Sequence, residues 1–562
     1  MLRCSPLLPL VLLTGCVGGG LLGGEEPRTP APPDNEPFWD LDHVLEVDLS
    51  LAPEDWDALR AQRRDFASVF AGDCRDGPYT SSYTYFPADL TVDGQSLPNI
   101  GARKKGFIGS QSTTKPGLRL NLDEFVDGAE LFGVDNITLN NAVQDPSLLK
   151  QCLVYSAFAE AGVPTPRCNF AHVTVNGDEL GIYVHVEPIK RSFLRRAFGT
   201  DDGDLYEGTL SDVHPAWVDT FEAKTDSTDE TLGPLRALGE DLQASEDVEA
   251  TLSDHLDLDR FLTFWAMEIW TAHWDGYAGN QNNFHVYRDP ATDLLHFIPW
   301  GADGTLQEFE GRSPFFGTGY IANRILGVPA LRDRLLDRID DLGEEVWTEG
   351  VLLDRIDAME SRLAERVNMQ GRAGPIEQVR QYVVNASGII AGAAGEAPQP
   401  FRSPFCLRAF GAVEADFETT WGSASGGFDG IWDAGEVDLE VQWGEFTVPF
   451  SRTGVMMGPA GEAPGWGNLL MSGEMQGDNG LAYVIPYATF PLDAAAAGAP
   501  LPFDGTGPNA SLLYADATTN WQPVQAAMVF GGQLTFGSFG TGFGDEVAGT
   551  LSTQLYEWAE EE

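Results

Sequence analysis

Alternating apolar and polar positions dominate the first third of the chain. Leu45-Glu46-Val47-Asp48-Leu49 reads as a strand with one face toward a core, and an amphipathic helix opens behind it near Pro53. The turn pair Asp93-Gly94 lies between alternating segments and predicts strands over residues 88–92 and 118–122. Asp145-Pro146-Ser147 predicts a helix start, because a carboxylate accepts from the free amides of a first turn and Pro has no amide to satisfy there. That helix stops at Gly162, ahead of Pro164. Alternating runs over residues 170–175 and 181–186 flank Asn176-Gly177, a pair that tolerates the positive φ of a tight hairpin. After Glu187-Pro188 the apolar period becomes helical. Phe261, Leu262, Trp265 and Ile269 share one face, and residues 331–339 and 352–366 repeat the pattern. A strand-rich lobe with one inserted helix thus precedes a helix-rich lobe.

Ala391-Gly392-Ala393-Ala394-Gly395-Glu396-Ala397-Pro398 reads as a linker. From residue 400 to 562, short runs such as Val437-Leu439-Val441-Trp443 and Leu551-Thr553-Leu555 alternate between Gly-rich turns, which predicts an all-β, sandwich-like domain. At the other end, Arg3 precedes an apolar run that closes on Leu13-Thr14-Gly15-Cys16. The run is too short to span a bilayer and resembles a bacterial lipoprotein signal. The resemblance implies removal of residues 1–15 and a lipid on Cys16, so that the body hangs outside the cytoplasm from a bacterial membrane, at the outer membrane or cell surface. Residues 16–37, rich in Gly, Pro and acidic side chains, read as a flexible tether.

The 85 acidic and 34 basic residues give a formal charge of −51. Such a field repels phosphate at long range, which argues against nucleic acid as a partner and requires any nucleotide site to carry a local basic patch or a divalent metal. Cys74, Cys152, Cys168 and Cys406 remain in the mature body and allow three pairings. Cys152 and Cys168, at the start of a predicted helix and just past its end, form one candidate disulfide, and none of the four has zinc-site spacing.

Two segments of the helix-rich lobe carry the candidate chemistry. Trp274-Asp275-Gly276 ends the apolar helix, with Asn280 and Asn282-Asn283-Phe284 close behind. Pro299-Trp300-Gly301-Ala302-Asp303-Gly304 ends an apolar strand on a second carboxylate. In kinases this order supplies a base for the acceptor hydroxyl, an Asn for one metal ion, and an Asp for the metal that bridges the nucleotide phosphates. His273, His285 and His296 fit no metal motif and read as packing or surface residues.

Residues 45–395 resemble the CotH-type (spore coat protein H) kinase family, an atypical protein-kinase-like group. The matching text is Gly101-Ala102-Arg103-Lys104-Lys105-Gly106-Phe107-Ile108-Gly109-Ser110 with Lys115-Pro116, Asp145-Pro146-Ser147, Val175-Asn176-Gly177 with Gly181-Ile182-Tyr183-Val184 and Glu187, Leu205-Tyr206-Glu207, the Asp275 segment through Tyr287-Arg288-Asp289, and Ile298-Pro299-Trp300. The resemblance implies an α+β, two-lobed kinase-like domain over residues 38–395, with an N-lobe at 45–187 and a C-lobe at 188–395, followed by the all-β domain.

It also implies ATP, with Mg²⁺ or Mn²⁺, and transfer of phosphate to a protein Ser or Thr hydroxyl, the chain's own included. Asp275 would orient the acceptor and take its proton. Asp303 would hold the metal, with Asn283 completing the shell and Asn280, at the protein-kinase spacing from Asp275, competing for that role. Lys115, Arg119 and Lys104 are the candidate cations for the phosphates, and Glu187 stands where a kinase hinge meets the adenine edge. One departure is Gly301, where the family writes a carboxylate in Pro-Trp-Asp-x-Asp. If that residue is the metal ligand, the chain is a catalytically weak enzyme or an inert pseudokinase, serving as a surface binding or scaffold protein whose β domain takes a polysaccharide or a protein. If Asp303 is the ligand, little changes, and the Asp303-Gly304 pair keeps the kinase order.

Overall fold

The computed structural model describes residues 36–64, 77–79, 83–225, 231–307, 313–394, 400–404, 406–460, 465–477, 479–495, 500–503 and 508–558. The signal segment, Cys16, the tether up to residue 35, and Cys74 lie outside the described residues. Among the described residues no helix is long and apolar enough to cross a membrane.

The alternating segments of the first lobe close on one another. Strands β1 (Val44–Ser50), β2 (Phe86–Val92), β3 (Gln95–Lys105), β4 (Gly117–Asn121), β5 (Asn136–Asn140), β6 (Cys168–Val175) and β7 (Asp178–Val186) form a closed barrel in the order β1-β2-β3-β4-β5-β7-β6. The ring is sealed by a parallel pairing of β1 with β6, from Val44 opposite Phe170 to Leu49 opposite Val175. Asn176 and Gly177 turn the β6–β7 hairpin with φ of +53° and +87°. The Asn176 side chain also accepts from the Leu51 amide at 2.9 Å, which ties the hairpin to the end of β1. Val47, Leu90, Ile100, Leu118, Leu120, Ile137, Leu139 and Val173 fill the interior. Because side chains alternate along a strand, Arg103, Lys105 and Arg119 share the opposite face of β3 and β4.

The inserted helix, Lys150–Glu160, lies between the lobes. It starts at Lys150, later than the Asp145-Pro146-Ser147 segment predicts, with Leu149 at its N-cap and no side-chain cap. Asp145-Pro146-Ser147 forms a turn instead, in which Asp145 accepts from the Ser147 amide at 3.0 Å and from the Lys150 amide at 2.9 Å. The disulfide expected between Cys152 and Cys168 forms, with Cα atoms 5.1 Å apart, and fastens this helix to β6. Cys406 is also disulfide-bonded.

The second lobe surrounds a four-stranded sheet, β8 (Asp204–Gly208), β9 (Glu222–Ala223), β10 (Phe284–Arg288) and β11 (Leu295–Pro299), in the order β11-β10-β8-β9. Its central helix, Leu258–Trp270, is buried along almost its whole length, as expected of a helix apolar on all sides. Its two indoles are satisfied inside: Trp265 Nε1 donates to the Phe316 carbonyl at 2.7 Å and Trp270 Nε1 to the Ile339 carbonyl at 3.0 Å. Helices Pro329–Glu345, Glu349–Ala364 and Ala373–Ala393 complete the lobe. A rigid rod thus delivers Asp275 a few residues past its end.

The all-β domain is one continuous ten-stranded sheet, from Leu407–Thr420 to Glu546–Trp558, curled over a core that includes Val413, Phe417, Val441, Met457, Leu469, Phe490 and Leu534. Register shifts between Phe530 and Gln533 and between Phe536 and Ser538 let a long strand bend, so one sheet supplies both walls. Leu407 and Tyr556 of this domain pack with Leu210 of the second lobe and with Phe107 and Ile108, just past β3.

Candidate functional site

The loop after the central helix is fixed from below. Glu268, only 1 % exposed, accepts from the Tyr277 amide at 2.9 Å and the Ala278 amide at 3.0 Å, pinning the one-turn helix Tyr277–Asn280 to its parent. Gly276 is required at the crossing, since a Cβ there would run into the Glu268 carboxylate. Burial pushes the Glu268 carboxyl up to about 8, against the pull of those two amides.

Asp275 is then gripped by three carboxamides. Asn280 Nδ2 donates to Asp275 Oδ1 at 2.7 Å, Asn283 Nδ2 donates to Oδ2 at 2.7 Å, and Asn282 Nδ2 lies 3.3 Å from both oxygens. The two asparagines that the sequence set in competition therefore converge on one carboxylate, and Asn282 joins them. Asn283 takes a left-handed φ of +52°, which Asn tolerates. Burial raises Asp275 to about 6 against the pull of Asn280 and Asn282, and the negative charge of Asp303 adds to the rise. The group is mostly ionised near neutrality and close enough to its midpoint to accept a proton.

Asp303 follows β11. The Trp300 amide donates to the Asn283 carbonyl at 3.0 Å, and His273 Nε2 sits 2.9 Å from the Trp300 carbonyl, so the second segment is laced to the first. The amides of Gly301 and Ala302 donate to the buried hydroxyl of Tyr155 on helix Lys150–Glu160. Asp303 is half-buried. Burial raises its pKa and Asp145 adds to the rise, while Lys105 and Lys150 oppose it. His273 and His285 are buried and pushed down to about 4, and His296 is buried as well and pushed down, so all three are packing residues, neutral near pH 7.

The cation coupled most strongly to Asp303 is Lys105, the neighbour of the expected Lys104. Lys105 Nζ donates to Asn140 Oδ1, and Asn140 Nδ2 donates to Gln151 Oε1 at 2.7 Å, linking β3 to the inserted helix. It also lies 5.7 Å over the Trp300 ring. Burial lowers Lys105 to about 8, while Asp303 pulls it up. Lys104 points the other way, as the strand period dictates. It is 1 % exposed and donates to the carbonyls of Arg60 at 2.8 Å and Gln62 at 2.6 Å. Lys115 is spent on the Ile182 carbonyl at 2.6 Å, 4.8 Å over the Tyr183 ring. Glu187 is buried in ion pairs with Arg167 at 2.8 Å and Arg196 at 2.6 Å, which leaves no free edge for a base. Of the four residues proposed to meet the nucleotide, only Arg119 lies on the face of Lys105.

Around Arg119 the basic residues collect. Glu207 pairs with Lys224 at 2.7 Å. Burial would raise Glu207, but Lys224, His285 and Arg119 together hold it down at about 2. Lys190 is lowered to about 8 by burial and by Arg119, and burial and Arg103 lower Arg64, with Glu207 opposing. In a chain of charge −51, this patch of Arg64, Arg103, Lys105, Arg119, Lys190 and Lys224 is the local positive field a phosphate ligand requires. The donor set also fits a hard divalent cation: Asp303 and the asparagine carboxamides offer oxygen, and Asp303 carries negative charge that is felt at Asp275, whose pKa it raises.

A strand lobe and a helical lobe, with a carboxylate held by asparagines on one segment and a second carboxylate after the next strand, define an atypical kinase-like protein. The CotH kinase protein family model matches residues 93–388, just over half of the 562 residues, and the chain belongs to that family. It is similar to the inner spore coat protein H of Bacillus subtilis, 28% identical over 220 residues, covering 36% of this chain and 58% of that protein. It is also similar to two proteins of Rhizopus delemar: the invasin CotH3, 25% identical over 199 residues, covering 32% of this chain and 33% of the invasin, and spore coat protein homolog 1, 24% identical over 354 residues, covering 59% and 55%. The chain thus spans between a third and three fifths of the length of these relatives.

Proposed function

We propose that this protein is an extracytoplasmic, lipid-anchored atypical protein kinase that moves the γ-phosphate of ATP to a protein Ser or Thr hydroxyl. The observation that carries the reading is the convergence of Asn280, Asn282 and Asn283 on Asp275, with Asp303 close enough for its charge to act on both Asp275 and Lys105. The basic patch around Arg119 is suited to the triphosphate. Lys105 would contact it, held toward the inserted helix through neutral Asn140 and Gln151, where protein kinases use a Lys–Glu ion pair.

Mg²⁺ or Mn²⁺ would be held by Asp303 with carboxamide oxygens of Asn283 and Asn280, and when bound it supplies charge neutralisation at the phosphates. Asp275 orients the acceptor hydroxyl. As the acceptor oxygen bonds to the γ-phosphorus and the bond to the bridging oxygen breaks, Asp275 takes the hydroxyl proton and ADP leaves. Its elevated pKa, set by burial, suits a base that acts late.

For the location, support comes from the lipoprotein-like Leu13-Thr14-Gly15-Cys16, from disulfides at Cys152–Cys168 and Cys406, which persist outside the cytoplasm, and from relatives named for spore coats and invasion. Labelling of the protein by a fatty acid in cells, lost in Cys16→Ser, tests the anchor. Transfer of label from ATP to an acceptor protein, lost in Asp275→Asn, tests the activity.

A second reading has its own observation. Gly301 stands where the family writes a carboxylate, and the Rhizopus relatives include a protein named an invasin. On that reading the kinase-like domain is an inert scaffold and the β domain binds a polysaccharide or a protein. Asp275→Asn then leaves surface binding intact, while removal of the β domain abolishes it.

A further inference from the structure

The family match ends at residue 388, yet the loop that holds Asp275 is completed by residues beyond it. Residues 400–404 run along the second lobe between helix Ala373–Ala393 and the first strand of the β domain. Phe401 packs on the rings of His214, with centroids 5.3 Å apart, and Tyr320, at 5.6 Å. Arg402 is tied to the loop at two points and to the adjacent Thr318 at a third. Its amide donates to the Thr318 carbonyl at 3.2 Å, its carbonyl accepts from Gln281 Nε2 at 2.6 Å, and its guanidinium donates to the Gly279 carbonyl at 3.2 Å.

Gly279 and Gln281 are the two neighbours of Asn280. The Gly279 carbonyl belongs to a one-turn helix whose last carbonyls have no partner within the helix; it accepts from Thr318 Oγ1 and from the Arg402 guanidinium, which adds a positive charge at that end. Gln281 is fully buried with a left-handed φ of +48°, an unfavourable conformation for a residue of this type. Its side-chain bond to Arg402 helps hold that conformation, which aims Asn282 and Asn283 back at Asp275. Downstream, Leu407 and Tyr556 dock the β domain on Leu210, Phe107 and Ile108. The strap is therefore anchored at both ends.

We propose that Arg402 is a positioning residue for Asp275, supplied from outside the family domain, and that the C-terminal module thereby sets the orientation of Asn280, Asn282 and Asn283. This rests on the reading of the Asp275 loop as catalytic.

The test uses the full chain as wild type, Arg402→Ala and Arg402→Lys. Amide hydrogen exchange over residues 277–283, melting temperature, and kcat and KM for ATP are measured together. In Arg402→Ala, exchange in that loop is expected to speed up about tenfold and kcat to fall about tenfold, the loss of one charge-assisted hydrogen bond, with KM for ATP and the exchange of the barrel strands unchanged. Arg402→Lys recovers part of both. Unchanged loop exchange in Arg402→Ala overturns the proposal. So does a KM effect without a kcat effect, or faster exchange spread evenly over the whole second lobe. If wild type transfers no phosphate with either metal, the kinase reading fails, and the exchange measurement still decides whether Arg402 orders the loop. If Arg402→Ala does not fold, the lysine variant carries the test: loop exchange equal to wild type with kcat reduced contradicts the positioning role.

Discussion

Asn283 occupies the space that a side chain at position 301 would need. Gly301 has a φ of +54°, and a Cβ there would collide with Asn283 Oδ1, of the same carboxamide whose Nδ2 donates to Asp275 at 2.7 Å. The position where the family writes a carboxylate is thus an interlock between the Asp275 and Asp303 segments. Asp303 is left as the acidic residue of the second one.

Gly301→Ala should therefore cost stability, through both the left-handed backbone and the collision. The expected loss is about 1–3 kcal/mol, read from denaturant unfolding. Adding Asn283→Gly relieves the collision and should recover part of the loss. Gly301→Asp, which restores the family carboxylate, should lower stability in the same way and leave phosphate transfer no faster. A Gly301→Asp variant that is as stable as wild type and more active contradicts the interlock.

Lys104 and Lys105 should separate cleanly. Lys104→Met strips the partner from the buried carbonyls of Arg60 and Gln62 and should destabilise the fold by about 1–3 kcal/mol, while nucleotide affinity stays the same. Lys105→Met should weaken ATP binding about tenfold or more with a smaller change in melting temperature, since it removes one charge-assisted contact. Isothermal titration on both variants checks the pair.

This pair also marks how far the sequence could be read. Alternation in the barrel, the Asn176-Gly177 hairpin, the central helix and the Asp275 and Asp303 segments are all legible, because each is local and carries its own period or turn residue; the start of the inserted helix is not, since Asp145-Pro146-Ser147 makes a turn ahead of Lys150. Choosing between Lys104 and Lys105 needs the face of β3. That strand has few apolar positions with which to set its phase, and a one-residue slip sends every side chain to the other side. The alternation of Leu118 and Leu120 on its partner would have fixed it. The spending of Glu187 on Arg167 and Arg196, and the closure of the barrel by β1 against β6, depend on contacts between residues far apart in the chain, which no local pattern records. The part of Asn282 is not legible locally, because adjacent residues are not expected to point at one carboxylate. The left-handed turns at Gln281 and Asn283 make that convergence possible.

Two buried acids should give the protein a distinct pH profile. Burial holds Glu268 up at about 8 and Asp212 at about 7, above ordinary values of 4.5 and 3.8. The folded protein keeps protons that the unfolded chain releases, so the stability linked to these groups is full below the ordinary values and is lost as pH rises through 7 and 8. Melting temperature should fall from about pH 5 to 8 more steeply in wild type than in Glu268→Gln. Parallel profiles contradict the burial account.

Asp303 should be responsible for metal coupling. In wild type, Mg²⁺ or Mn²⁺ added with ATP should raise the melting temperature beyond the effect of either alone, because both bind only the folded state. In Asp303→Asn the extra increment should vanish, while ATP alone still shifts the transition through the basic patch. An increment that survives in Asp303→Asn would move the metal to other residues.

The central claim is that Asp275, held by its three asparagines, serves phosphoryl transfer. Its most direct test is a time course of label transfer from γ-labelled ATP, with Mg²⁺ or Mn²⁺, to a generic acceptor protein and to the chain itself, comparing wild type with Asp275→Asn at matched thermal stability. Labelled Ser or Thr in the wild-type reaction, reduced at least about a hundredfold in Asp275→Asn, is the predicted result. No transfer by the wild type with either metal, or equal transfer by the two proteins, would contradict it.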